Sequence, residues 1–193
     1  MKLMENNVHD NETFENIIYA DKTIKGNEFQ SCTFQTCDFS NSSFLQNKFF
    51  DCIFDGCNLS MMKLDGSTLN KAVFKNCKIL GLDFSQCHNI LFSVSFESCI
   101  LDYASFMGKK MQKTSFIKSS LKEVSFSAAN LLGAVFDQSD LSGAIFNRTD
   151  LTSVNFITAF NYTLDPEINI INKARFSTEG VTGLLAKYNI KIE

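Results

Sequence analysis

Large apolar residues return at every fifth position along most of this chain. Of the 20 Phe, nine share one five-residue phase: Phe14, Phe29, Phe34, Phe39, Phe44, Phe49, Phe54, Phe74 and Phe84. Eight share a second phase: Phe96, Phe106, Phe116, Phe126, Phe136, Phe146, Phe156 and Phe176. Only Phe50, Phe92 and Phe160 fall outside both. Tyr19, Ile24, Leu59, Leu64, Leu69 and Ile79 fill the gaps in the first phase, and Leu91, Leu101, Met111, Leu121, Leu131, Leu141 and Leu151 those in the second. The chain is therefore an internal repeat, and that governs every other reading.

A period of five suits neither an α-helix nor a flat strand. Each pentad instead divides in two. Two residues before the centre stands a second small or apolar side chain, as at Cys37, Cys57, Ala72, Ala104 and Ala129. Positions two apart in an extended segment share a face. Seven of the nine glycines (Gly26, Gly56, Gly66, Gly81, Gly108, Gly133, Gly143) lie two residues after a centre, where a tight corner would use them.

Phe14, Phe34, Phe54 and Phe74 stand 20 apart, so four pentads make a coil. After a step of 22 the column resumes at Phe96 and runs on to Phe176. The next side stacks Phe39, Leu59, Ile79, Leu101, Leu121 and Leu141, the third, opposite the first, Phe44, Leu64, Phe84, Phe106, Phe126 and Phe146, and the fourth Phe49, Leu69, Leu91, Met111, Leu131 and Leu151. Coils about 4.8 Å apart, the strand spacing, give a square-sectioned β-solenoid with a dry interior. The solenoid is expected over residues 14–176. Residues 1–13 would be a cap or tail, and 177–193 a helical cap or dimerisation segment.

Ala129-Asn130-Leu131-Leu132-Gly133, Ser139-Asp140-Leu141-Ser142-Gly143 and Cys37-Asp38-Phe39-Ser40-Asn41 resemble the pentapeptide repeat family. The resemblance implies an all-β, right-handed quadrilateral β-helix.

At 193 residues and net charge −3, the chain reads as one domain with no bilayer-length apolar run and no signal-peptide core. A cytoplasmic location is the expectation. The seven cysteines carry no C-x-x-C pair, and His9 and His88 are not at ligand spacing, so neither metal nor cofactor is expected. Free, buried thiols fit better.

Two extra residues fall within Ser85–Ile90, making Gln86, His88 and Asn89 an outward corner and a candidate partner contact. Lys109, Lys110, Lys113, Lys118 and Lys122 crowd neighbouring pentads as a solvated face or a patch for an acidic partner. The chain is not basic enough for direct nucleic-acid binding. In the tail, Ser177-Thr178-Glu179 reads as a helix start, and Val181, Leu184, Leu185 and Tyr188 form one helical stripe. Such a stripe would cover the open end of the solenoid or pair two copies.

No Ser/His/Asp set, phosphate-binding glycine loop or paired carboxylates can be located, so no enzyme is expected. Within the family, Ala72-Val73-Phe74-Lys75-Asn76-Cys77, Ala104-Ser105-Phe106-Met107 and the closing Gly183-Leu184-Leu185-Ala186-Lys187-Tyr188-Asn189-Ile190 look like the quinolone-resistance (Qnr-like) group. That resemblance implies a homodimeric DNA mimic that binds DNA gyrase or topoisomerase IV and protects them from quinolones. Asp38, Asp55, Asp65, Asp83, Asp102, Asp137, Asp140 and Asp150 would then stand in for phosphates. The alternative is an interaction scaffold with an unrelated protein partner.

Overall fold

Each pentad becomes three extended residues and a corner. In strands such as Thr33–Gln35 and Ile53–Asp55 only the middle side chain is buried, because alternate residues of a strand face opposite sides. The structure, a computed structural model, describes residues 8–191.

The coils stack in parallel register. Seven strands form the first side, from Thr13–Glu15 to Val135–Asp137, pairing Phe14 with Phe34, Phe34 with Phe54 and Phe74 with Phe96. Along that column neighbouring rings lie parallel, with centroids 4.7 to 5.3 Å apart. The second side is a run of single bridges through Ile18, Asp38, Asn58, Lys78, Ile100, Ser120, Asp140 and Phe160. The four-stranded sheet of the fourth side joins Val8–Asp10, Glu28–Gln30, Lys48–Phe50 and Thr68–Asn70. Inside, a void of about 10 Å³ is lined only by apolar side chains, among them Phe49, Phe54, Leu59 and Leu64, and with no polar partner for a water it stays dry.

The corners follow the glycine pattern. The second corner residue has positive φ, as at Gly108 (+68°), Asn41 (+54°) and Lys71 (+50°). Two kinds of bond hold the residue after it. At Ser42 and Ala129 the N–H closes a turn onto the Phe39 or Phe126 carbonyl, 3.2 and 3.0 Å. At Cys37 the N–H instead meets the Cys57 sulfur in the next coil, 3.4 Å, and at Ser119 the Ser139 hydroxyl, 3.1 Å. The same side chains donate backwards: the Cys57 thiol to the Phe34 carbonyl, 3.3 Å, and the Ser139 hydroxyl to that of Phe116, 3.1 Å. The seven cysteines are free and buried, and most serve as rungs between coils as well as filler. Burial pushes the Cys52 and Cys87 thiols up to about 12.

Both ends differ from expectation. Val8–Asp10 is already a strand, paired with Glu28–Gln30, so the solenoid begins before Phe14. His9 occupies a pentad centre there and is buried; residues 1–7 of the expected tail lie outside the described residues. At the other end the expected helix forms only as two 3-10 turns, Gly180–Leu184 and Ala186–Tyr188. The chain here is pressed onto Tyr162. A Cβ on Gly183 would lie 2.2 Å from the Tyr162 carbonyl oxygen, and the Leu164 N–H donates to the Gly183 carbonyl. Consequently Leu184 packs on the core and Leu185 is half-buried, while Val181 and Tyr188 are exposed. The four do not form one stripe.

Candidate interaction surfaces

The eight aspartates are spread around the rod. Asp38, Asp102 and Asp140 belong to the second side, Asp65 and Asp83 to the third, Asp150 to the fourth, and Asp55 and Asp137 to the first. Most have local work. The carboxylates of Asp38, Asp83, Asp140 and Asp150 each accept the N–H two residues on, at 2.9 to 3.1 Å, and so brace their own corners. Asn58 and Asn130 do the same without charge. Asp55 accepts from the Asn76 amide, Asp102 from the Ser120 hydroxyl and Asp137 from the Thr158 hydroxyl, each across to the next coil. Asp65 lies in a shallow cleft with Met61, Gly81 and Gln86, and its carboxylate has no hydrogen bond among the described residues.

The corner insertion is displaced from where the sequence pattern puts it. The ladder stays in step through the His88 N–H, which donates to the Ser67 carbonyl at 2.9 Å. Leu91, expected inside the fourth column, is instead an exposed corner residue with φ +61°. Phe92 enters the interior, edge-on to Phe84 at 6.4 Å. Among the three candidates, Gln86, His88 and Asn89 are all exposed, and the buried Cys87 separates them. Gln86 donates to the Asp83 carboxylate at 3.1 Å.

Lys109 leaves the expected lysine face altogether. It is buried, and its ammonium is enclosed by the Cys87 carbonyl, the Asn89 amide oxygen at 3.1 Å and the Phe92 ring at 5.0 Å. Burial lowers its pKa. The sequence does place Lys109 at an inward position, two residues before Met111, but its charge argues for the surface. Lys110, Lys113, Lys118 and Lys122 point from different sides and corners of the rod, and Lys122 pairs with Asp140 at 3.5 Å. Lys110 and Lys113 flank the same pentad on the fourth side, whereas Lys118 and Lys122 lie after the first and second sides, so the five do not form a single patch.

At the C-terminal end Lys187 bridges Asp165 and Glu167, both at 2.7 Å, and Tyr188 donates to Glu167 at 3.0 Å. These contacts latch the tail onto its own last coil. A cleft of about 630 Å³ runs beside it, lined by Phe160, Tyr162, Ser177 and Glu179. Among the described residues no three His, Cys, Asp or Glu are grouped to hold a metal, and no helix is long and apolar enough to cross a membrane.

The repeat is matched by two family profiles, described as "Pentapeptide repeat region" over residues 27–90 and "Pentapeptide repeats (8 copies)" over residues 119–156. Together they cover more than half of the chain. The chain belongs to the pentapeptide repeat family. No curated protein sequence matches it. Among solved structures it is similar to QnrB1, described as a plasmid-mediated fluoroquinolone resistance protein. One trypsin-treated form matches with TM-score 0.65 and 19% identity over 96% of this chain and 91% of the other. A second gives 0.66 and 17%, over 94% and 100%. The full-length protein gives 0.50 and 22%, over 95% and 100%. At these identities the likeness is one of fold.

Where Asp or Asn stands before a centre in this chain, as at Asp38, Asn58, Asp83, Asn130, Asp140 and Asp150, it thus has a structural role first. Any recognition by carboxylates is added to corner bracing.

Proposed function

We propose that this pentapeptide repeat protein is a non-enzymatic binding rod, cytoplasmic, that engages DNA gyrase or topoisomerase IV in the manner of a duplex and shields them from quinolones. The observation that supports it is the near whole-length likeness to QnrB1, a protein named for fluoroquinolone resistance. A rod with a filled interior offers faces and not a cleft. Asp55 and Asp137, four coils apart on the first side, and Asp102 on the second would meet the enzyme's DNA-binding groove. Homodimerisation through the C-terminal end fits the exposed Phe160, Ile168, Ile170, Val181 and Tyr188 there.

A second reading, a scaffold for an unrelated protein partner, is favoured by one observation. The aspartates are distributed over four sides, half of them braced into corners, and do not line one face.

A gyrase supercoiling assay with and without ciprofloxacin separates the two. Rescue of drug-poisoned supercoiling supports topoisomerase protection. Inhibition without rescue would leave a mimic that does not protect. No effect at any ratio would leave the scaffold.

A further inference from the structure

The insertion on the fourth side is a built feature. Asn89 keeps the phase of a pentad centre but its residue faces outward, and Phe92 takes the interior place. Between them Ile90 is 79% exposed and Leu91 61% exposed, so two adjacent aliphatic side chains stand clear of the rod.

We propose that this bulge is a docking knob for a protein partner whose apolar pocket is rimmed by carboxylates, and that Lys109 is the positioning residue that fixes it. The inference deepens the scaffold reading and stands whether or not a topoisomerase binds.

Three observations carry it. Lys109 ties both ends of the bulge together, since its ammonium donates to the Cys87 carbonyl and to Asn89, and faces the Phe92 ring. Asn70 adds a bond from its amide to the Leu91 carbonyl at 3.0 Å. A segment held this way loses little entropy on binding.

The rim is basic. Leu91 takes the corner place held by Lys71 one coil before and Lys113 one coil after, each with positive φ. His88 occupies the strand place that Lys110 holds in the next coil. Lys71 is shared with Asp51 at 3.2 Å, whereas Lys110 and Lys113 have no ion pair among the described residues. Like-charged rims select an oppositely charged partner. The aliphatic pair at the centre favours a protein pocket over nucleic acid, which offers stacked bases and phosphates.

The test is amide NMR of the full chain titrated with a synthetic acidic peptide of alternating Leu and Glu, with its Leu–Lys counterpart and a short DNA duplex as controls. The acidic peptide should shift residues 88–92 together with Lys71 and Lys113. Replacing both Ile90→Ser and Leu91→Ser should weaken it about tenfold or more. Lys109→Met should keep the thermal midpoint while raising amide exchange across residues 88–92 about tenfold and weakening the peptide. Shifts elsewhere, no binding, or tighter binding of the duplex or the Leu–Lys peptide would overturn the docking surface. Unchanged exchange in Lys109→Met would overturn the positioning role.

Discussion

His9 lies parallel to Phe29, with ring centroids 4.9 Å apart and planes inclined by 9°, in a column that later coils fill with Phe49 and Leu69. Its Nδ1 meets Glu12 at 3.2 Å, while its buried Nε2 has no partner among the described residues. An unpaired buried nitrogen costs on the order of 1–3 kcal/mol. His9→Phe should therefore stabilise the protein by about 1 kcal/mol, read from the urea midpoint at neutral pH. A lower midpoint would mean that the Glu12 contact outweighs the orphan nitrogen.

That histidine also marks how far the sequence can be read. The five-residue period, the four-sided coil and the positive-φ glycine corners are all legible, because a repeated apolar column leaves the same trace at each turn. His9 hides the first coil because its polarity breaks the pattern while its ring still stacks. Leu91 and Phe92 exchange roles because an insertion of two residues can be placed at either end of a pentad, and the contacts that hold the observed placement come from Lys109 and Asn70 in neighbouring coils. The tail stripe fails because Gly180 and Gly183 serve close contact with Tyr162, which a local helical pattern does not register. The aspartates are legible as surface residues but not as corner braces.

The thiol rungs give a second expectation. Cys57 accepts from the Cys37 N–H and donates to the Phe34 carbonyl. Cys57→Ser should preserve both bonds, as Ser139 does in its own coil. Cys57→Val fills the space but leaves both groups unpaired, at a cost of about 1–3 kcal/mol. Chemical denaturation of the two variants compares them directly; equal stability would reduce the thiols to filler.

Two glycines separate backbone strain from close contact. Gly108 has φ +68° with nothing within 4 Å of a built Cβ. Gly108→Ala should cost only the left-handed penalty, about 1–2 kcal/mol. Gly183→Ala would drive its Cβ into the Tyr162 carbonyl. Amide exchange should then rise across residues 180–188 while the solenoid keeps its protection.

Acid should loosen the corners. Hydrogen bonds from Ser40 hold the Asp38 carboxyl below the usual range. At Asp140 burial pushes upward, but Ser142, Asn161 and Lys122 outweigh it and keep the group low. Each carboxylate binds its proton more weakly when folded. Its stabilisation is complete above the unfolded value of about 3.9 and is lost as pH falls through the lower folded value. The urea midpoint should fall below about pH 4, and Asp38→Asn with Asp140→Asn should flatten that fall. At neutral pH the double variant should unfold much like the parent, because Asn58 and Asn130 already brace corners at this position.

As proposed, the rod takes the place of DNA on a topoisomerase. Fluorescence anisotropy of a labelled duplex bound to DNA gyrase, titrated with this protein, measures that directly. Displacement of the duplex near stoichiometric protein, weakened by neutralising Asp55, Asp102 and Asp137, is the predicted result. An undisturbed duplex at large protein excess would contradict it.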